Sequence, residues 1–331
     1  MYRAALIGCG RIGSEFADDP RMKGDIFSHA EAYTCCPDTD LVALCDADTE
    51  RLTRSGERWG VKALYTKIEE LLEIERPDLV SVGTPDETHY QILHAVLTSP
   101  HRVKGILCEK PLATSLAEAQ ELVRMAGARG LTLAVNYMRR HAQNMRALKS
   151  FLDAGRLGPV QAVGGWYTKG ILHNGSHWFD LLRYLVGKVE WVIAWDTWNK
   201  GETDPTLDVM LGLQGGGLAT LRACDARQFT VFEMDLMGTK GRIRVIDSGY
   251  AIEYDHVIDS PRYSGYRELA RADADFGNRK NMFLRAVEDL VEAVRTGRPP
   301  ACTGEDGLAA LEIGCAAQQS VNTGQRVQML N

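Results

Sequence analysis

The stretch Ala4-Ala5-Leu6-Ile7-Gly8-Cys9-Gly10-Arg11-Ile12-Gly13 decides the fold. The apolar run from Tyr2 to Ile7 reads as a strand. The next six residues spell G-x-G-x-x-G ahead of a helical stretch. In that setting Gly8 allows a tight turn, Gly10 lets a pyrophosphate approach the backbone, and Gly13 lets helix and sheet pack closely. Backbone N–H groups at the start of the helix are then phosphate ligands. Cys9, Arg11 and Ile12 complete this expected loop. At the end of the next apolar run, Leu41 to Cys45, stands Asp46. Its carboxylate suits the adenosine ribose hydroxyls and repels a 2′-phosphate, so NAD is favoured over NADP. The spacing from Gly13 to Asp46 exceeds the usual ~20 residues, and residues 18–38 read as an inserted loop.

Working outward, further continuous apolar runs occur at 78–83, 105–109 and 131–135, with helical patterns at 49–58, 67–73, 87–97 and 115–128. This rhythm predicts a doubly wound parallel sheet, an α/β Rossmann domain. Beyond residue 150 the pattern changes. A strand at 158–168 is followed by one helix and strands at 189–195, 206–213, 217–224, 231–237 and 242–246. Successive strands predict an α+β domain with a large open antiparallel sheet. Helical stretches at 278–296 and 304–322 close the chain. The expected division is 1–136 for dinucleotide binding and 137–331 for substrate binding and oligomerisation, the C-terminal helices being free to pack back on the first domain.

The 331 residues carry 45% hydrophobic and 25% charged side chains, an ordinary globular composition, and a net charge of −6. That balance argues against a broad nucleic-acid surface. No signal-peptide core or apolar run of 18 residues is present, so no membrane partner is expected. The eight cysteines are Cys9, Cys35, Cys36, Cys45, Cys108, Cys224, Cys302 and Cys315, and none forms a CxxC pair. They read as reduced thiols of a cytoplasmic protein.

Thr84 and Pro85 fall at a strand end, where open α/β sheets bind ligands. His89 either caps a ligand edge or sits on the outer face of the next helix. Glu109 and Lys110 end the fourth strand, and a cation there can stabilise an oxyanion during hydride transfer. The ordered set G-C-G-R-I-G, C-D-A-D, T-P-x-x-x-H, E-K-P-L-A, N-Y-M-R-R and G-S-H-W-F-D resembles the Gfo/Idh/MocA oxidoreductase family, the glucose–fructose oxidoreductase and inositol dehydrogenase relatives. The resemblance runs from Gly8 to about Gly187 and implies a Rossmann domain joined to an open sheet. It implies bound NAD or NADP, sugar-like substrates, no metal, and Lys110 as a catalytic residue. It also implies a cis Lys110–Pro111 bond and places Glu109 and Asn136 near the cofactor.

His173 and His177 lie four apart in K-G-I-L-H-N-G-S-H-W-F-D. A zinc pair needs both on one helix face and further ligands. The helix is expected to begin at Asn174 or later, with Asn174 as N-cap and Gly187 at the far end. His173 then precedes it. Trp178, Leu181, Leu182 and Leu185 form the apolar stripe, and His177, Asp180 and Tyr184 a polar one. The resemblance aligns His177 with the family's catalytic histidine, a proton acceptor suited to neutral pH. It aligns His173 with a position where relatives carry aspartate.

Arg139 and Arg140 are candidates for a substrate phosphate or carboxylate, or for an ion pair. Tyr167, Lys169 and Asn174 are further substrate candidates. Trp166 can stack on a sugar or pack in the core. Trp191, Trp195 and Trp198 suit sheet packing or a subunit interface.

These readings converge on an NAD-dependent oxidoreductase moving a hydride between the cofactor and a hydroxyl of a sugar, sugar nucleotide or cyclitol. Lys110, His177 and His173 are its catalytic candidates, and a homodimer or homotetramer is expected. Two alternatives remain open: a glycoside hydrolase or lyase using transient oxidation, and a non-catalytic NAD-dependent sugar-binding protein.

Overall fold

The apolar runs of the N-terminal part become one parallel sheet. In a computed structural model describing residues 1–197 and 202–329, the chain divides into two compact units. The first comprises Met1–Ala142 and Lys280–Leu308, the second Gln143–Arg279 and Ala309–Asn331. Strands β1 (Tyr2–Ile7), β2 (Thr39–Cys45), β3 (Ala63–Tyr65), β4 (Leu79–Val82), β5 (Gly105–Cys108) and β6 (Thr132–Val135) lie in the order β3-β2-β1-β4-β5-β6. Every neighbouring pair is parallel. All residues of β4 and β5 are buried, which is why these strands read as unbroken apolar runs. The strand order reverses between β1 and β4, and ligands of such sheets bind outside the carboxyl ends at that reversal.

Helices α1 (His29–Cys35), α2 (Thr49–Trp59), α3 (Ile68–Glu75), α4 (His89–Thr98) and α5 (Leu116–Arg129) alternate with the strands. Their ends follow capping chemistry. Asp48 accepts from the amides of Glu50 and Arg51 at the start of α2, and Ser115 accepts from Glu118 at the start of α5. Gly60 and Gly130 close the same two helices in the left-handed conformation.

The expected loop at 18–38 is not all loop, for it contains α1. Ser28 caps this helix by accepting from the amide of Glu31. Helical winding begins just after Gly8: the Ser14 amide donates to Gly10 O at 2.8 Å. The chain then leaves and later returns to the same place. The His29 amide donates to Ile12 O (3.1 Å) and the Ala30 amide to Gly13 O (2.9 Å). Thus α1 takes up the hydrogen bonds of the Gly10–Gly13 turn, with residues 14–28 looped out between them. The helix is interrupted, not displaced.

The second unit opens with α6 (Gln143–Asp153), β7 (Val160–Tyr167), α7 (Ser176–Leu185) and β8 (Val189–Trp195). Strands β9 (Asp208–Leu213), β10 (Leu218–Ala223), β11 (Phe232–Gly238), β12 (Gly241–Ile246), β13 (Ala251–Asp259) and β14 (Arg267–Ala272) follow. Helix α8 (Met282–Thr296) belongs to the first unit. Helix α9 (Gly304–Thr323) leads to β15 (Val327–Gln328). The second sheet has nine strands in the order β14-β13-β12-β11-β7-β10-β9-β8-β15. It is mixed, not wholly antiparallel as expected, because β7 and β10 run parallel. The chain between them passes through α7, β8 and β9, and such a crossover can return a strand in the same direction.

Two glycines show how closely helices ride on these sheets. A Cβ on Gly105 would lie 2.7 Å from Val294 Cγ2, so α8 sits directly on β5. A Cβ on Gly165 would lie 2.3 Å from the Trp178 indole nitrogen, so α7 sits directly on β7. The other face of the second sheet exposes Trp166 (43%), Trp195 (47%) and Leu218 (45%), while Trp191 is half-buried. Trp198 lies outside the described residues. Among the described residues no helix is long and apolar enough to cross a membrane.

Candidate active site

The glycine loop has the shape its sequence implies. Gly8 adopts φ 95°, and a Cβ there would meet the Gly83 carbonyl at 2.7 Å. A Cβ on Gly13 would fall 1.9 Å from Gly8 O. Gly10 differs, since a Cβ there would meet nothing within 4 Å. Two glycines therefore serve backbone packing, and one keeps space open in front of the loop. Arg11 stacks its guanidinium on Phe16 at 4.6 Å. Asp46 ties the loop to the end of β2: its Oδ2 accepts from the Cys9 amide (2.7 Å) and its Oδ1 from the Asp48 amide (2.9 Å). Arg51 approaches the same carboxylate at 3.3 Å and is also paired with Asp48 and Glu15.

Thr84 and Pro85 follow β4 at the ligand-binding edge. His89 is fully buried, and its ring nitrogens lie 2.7 Å from Pro111 O and 3.0 Å from Thr84 O. This replaces the two expected placements, a ligand cap or an outer helix face. Both nitrogens meet backbone carbonyls, so the ring joins the loop after β4 to the loop after β5. The Lys110–Pro111 peptide in the latter loop is cis.

Glu109 and Lys110 emerge from β5 and are both buried. Glu109 Oε1 accepts from Asn136 Nδ2 at 2.6 Å and from His29 Nε2 at 3.0 Å. His29 Nδ1 is hydrogen-bonded to Ser81 Oγ (3.0 Å), which donates to the Tyr33 hydroxyl (3.0 Å). Burial pushes the Glu109 carboxyl up, but hydrogen bonds from His29 and Asn136 and the charges of His29 and Lys110 outweigh it, leaving it below its ordinary value. Asn136 is fully buried, yet its Oδ1 has no hydrogen-bond partner among the described residues. A buried acceptor left unmatched is disfavoured unless a ligand or water supplies the donor. This acceptor and the open space at Gly10 fit a bound dinucleotide.

Arg139 and Arg140 are buried in the turn after β6. Arg140 donates to Ala301 O (2.8 Å) and Asp306 Oδ2 (3.0 Å), taking the ion-pair option. Tyr167 is a core residue. Its hydroxyl donates to Leu207 O and accepts from the Leu207 amide, which spends its polar group on the fold.

In the second unit, the chain enters α7 through a wide turn of π-helical winding over Gly170–Gly175. Asn174 is therefore not the N-cap. Its Nδ2 donates to Thr168 O, and α7 starts at Ser176 without a side-chain cap because the preceding residues already wind helically. The helix ends at Leu185, and the Gly187 amide donates to Leu182 O. Trp178, Leu181, Leu182 and Leu185 are buried, and Trp178 Nε1 donates to Glu233 O at 3.0 Å.

The two histidines are unequal. His177 is buried in the first turn of α7, three residues before buried Asp180, whereas His173 is exposed in the wide turn. Lys169, at φ 67°, and His173 line a cavity of about 330 Å³ with Asp204 and Arg227. Asp204 accepts from the amides of Leu172 (2.8 Å) and His173 (2.9 Å). Arg227 is gripped by Asp225 through two nitrogens. No group of three or more His, Cys, Asp or Glu side chains that could hold a metal occurs among the described residues.

Sequence reasoning did not single out His29, Ser81, Asp204 or Arg227. The S-x-x-E pattern at Ser28–Glu31 is a capping signature and announces the helix carrying His29. The others carry no local signal.

Residues 2–137 match the model of an oxidoreductase family with an NAD-binding Rossmann fold, and residues 164–329 match the C-terminal alpha/beta domain of the same family. The chain belongs to the Gfo/Idh/MocA oxidoreductase family. This family member is an enzyme, a dehydrogenase or reductase acting on CH–OH groups. It is 26% identical to a myo-inositol 2-dehydrogenase of Thermotoga maritima, covering 99% of this chain and 98% of that one. It is 25% identical to a D-glucoside 3-dehydrogenase of Escherichia coli, covering 99% and 97%. In fold it is similar to the WlbA dehydrogenase of Bordetella pertussis, crystallised with NADH and UDP-GlcNAcA. That likeness has a TM-score of 0.79 at 21% identity and covers 100% and 99% of the two chains.

Proposed function

We propose that this family member oxidises a secondary hydroxyl of a sugar, sugar nucleotide or cyclitol with NAD, or reduces the matching ketone. The supporting observation is buried Lys110 at the end of β5, adjoining Glu109, whose partner Asn136 keeps an unmatched acceptor. Bound nicotinamide supplies the hydride acceptor. In this reading His177 takes the hydroxyl proton while the C–H electron pair leaves the carbinol carbon. The alcohol becomes a ketone and the protein holds one proton. The Lys110 ammonium offsets negative charge growing on the oxygen. His173, Asn174, Lys169 and Arg139 are proposed to contact the rest of the substrate.

NAD is favoured over NADP because Asp46 is a half-buried carboxylate, and Arg51 beside it is outnumbered by Asp46, Asp48 and Glu15. Cytoplasmic residence is part of the same reading. So is a homodimer or homotetramer formed through the sheet face bearing Trp166, Trp195 and Leu218, since exposed large apolar side chains favour association. A monomer by light scattering at micromolar concentration overturns that part.

The test of the chemistry is Lys110→Ala on a sugar and cyclitol panel. Turnover is expected to drop about 100-fold or more with NAD binding still measurable. Unchanged turnover refutes the role.

A further inference from the structure

Behind Glu109 runs a chain of buried polar side chains that stability alone does not require. Replacing such a network with apolar residues is often neutral or favourable. Tyr33, Ser81, His29 and Asn136 are each fully buried, they come from α1, β4 and the end of β6, and all lead to one carboxylate. That carboxylate stands at the carboxyl edge of the parallel sheet, where a doubly wound fold presents its ligand.

We infer that Glu109, hydrogen-bonded by His29 and Asn136, selects the oxidised over the reduced nicotinamide, with His29 as its positioning residue. The inference rests on the cofactor reading above. Accepting a hydride removes one positive charge from the ring. A fixed carboxylate therefore favours the oxidised form, and a tenfold preference corresponds to unit charges about 12 Å apart at an effective dielectric of about 20. His29 matters through what it prevents. Burial alone would drive the carboxyl toward its neutral form, and donation from His29 opposes this.

His29 comes from α1 and Asn136 follows β6, and Lys110 and Cys108 adjoin Glu109 in the chain, with Asp86 acting on Cys108. Phe283 of α8 faces His29 with an uncharged ring at 5.2 Å. At the far end Tyr33 is influenced by Cys36, and burial pushes both Tyr33 and Cys108 upward, leaving them neutral.

The experiment measures Kd for NAD⁺ by calorimetry and for NADH by fluorescence, from pH 6 to 9. It compares the native protein with Glu109→Gln and His29→Leu. The ratio Kd(NADH)/Kd(NAD⁺) is expected to fall about tenfold in Glu109→Gln at every pH. The native protein holds its ratio down to pH 6. His29→Leu matches it at pH 9 and loses it as pH falls, because the buried carboxyl, left with Asn136 but without its larger His29 contribution, takes up a proton more readily. Equal ratios in native and Glu109→Gln protein overturn the inference, and so does a His29→Leu profile as flat as the native one. If His29→Leu does not fold, the near-isosteric Glu109→Gln still decides the charge effect. A native protein that binds neither form sinks the cofactor reading itself, an outcome distinct from binding without preference.

Discussion

Gly10→Ala and Gly13→Ala are equal in chemistry and opposite in consequence. A Cβ at Gly10 meets no atom within 4 Å, so the fold should tolerate it, with stability changed by no more than about 1 kcal/mol. That methyl would occupy the space in front of the phosphate loop. A charge-assisted hydrogen bond contributes roughly 1.5–3 kcal/mol, so losing one raises Kd for NAD⁺ by roughly 10- to 150-fold. At Gly13 the Cβ would sit 1.9 Å from Gly8 O, whereas carbon contacts settle near 3.5 Å. The turn must open, which costs about 1–3 kcal/mol of stability as well as affinity. Thermal melts with and without NAD⁺ separate the two. Saturation at a hundred times Kd stabilises by about 2.7 kcal/mol, so the ligand-induced shift reports affinity and the unliganded midpoint reports the fold. Gly10→Ala should keep the midpoint and lose much of the shift. A shift equal to the native one would refute the assignment of this loop to the pyrophosphate.

Trp178→Ala removes a fully buried indole and its bond to Glu233 O, and urea denaturation should show a loss of about 3–5 kcal/mol. Asp78 accepts from the Arg3 amide and Lys104, and despite partial burial these partners hold its carboxyl below the ordinary value. Its contribution is therefore present above the unfolded value of about 3.9 and is lost as pH falls through the lower folded value. The stability gap between native protein and Asp78→Asn should be constant from pH 5 to 8 and close below pH 4. Burial pushes the thiols of Cys9 and Cys45 up to about 12, while Cys35 is exposed. An aromatic disulfide reagent at pH 8 should label Cys35 first, with Cys9 and Cys45 labelled only on unfolding, as peptide mapping would show.

Five of the six parallel strands were legible because they are largely buried and so read as apolar runs, whereas β3, three half-buried residues, was not. β13 and β14 were not. β14, R-E-L-A-R-A, alternates exposed and half-buried residues and is held by Arg271 reaching Glu253 and Asp255 on its neighbour. Ion pairs between strands leave no apolar period to read. The same contrast holds at the candidate site. Gly8, Gly10 and Gly13 sit in one local motif, so their roles follow from spacing. Asp204 reaches the turn holding His173 from 31 positions away, and His29 meets Glu109 across 80. Such pairings are made by topology, and one sequence does not display them. The parallel pairing of β7 with β10 was hidden for the same reason, since strand direction depends on the path between.

The interrupted helix at the glycine loop also bears on how this chain can be altered. Ile12 and His29 are joined as helical neighbours although 17 positions apart, where an α-helix needs four. Thirteen residues are therefore surplus to the winding. Near its end the segment is also tied to Asn281 and Phe283, through Asp25, Ile26 and Phe27. Removing thirteen residues there would bring Ile12 and His29 to the four-residue spacing of an unbroken helix. Loop length is thus separable from helical register here, while the residues just before His29 are held by their own contacts.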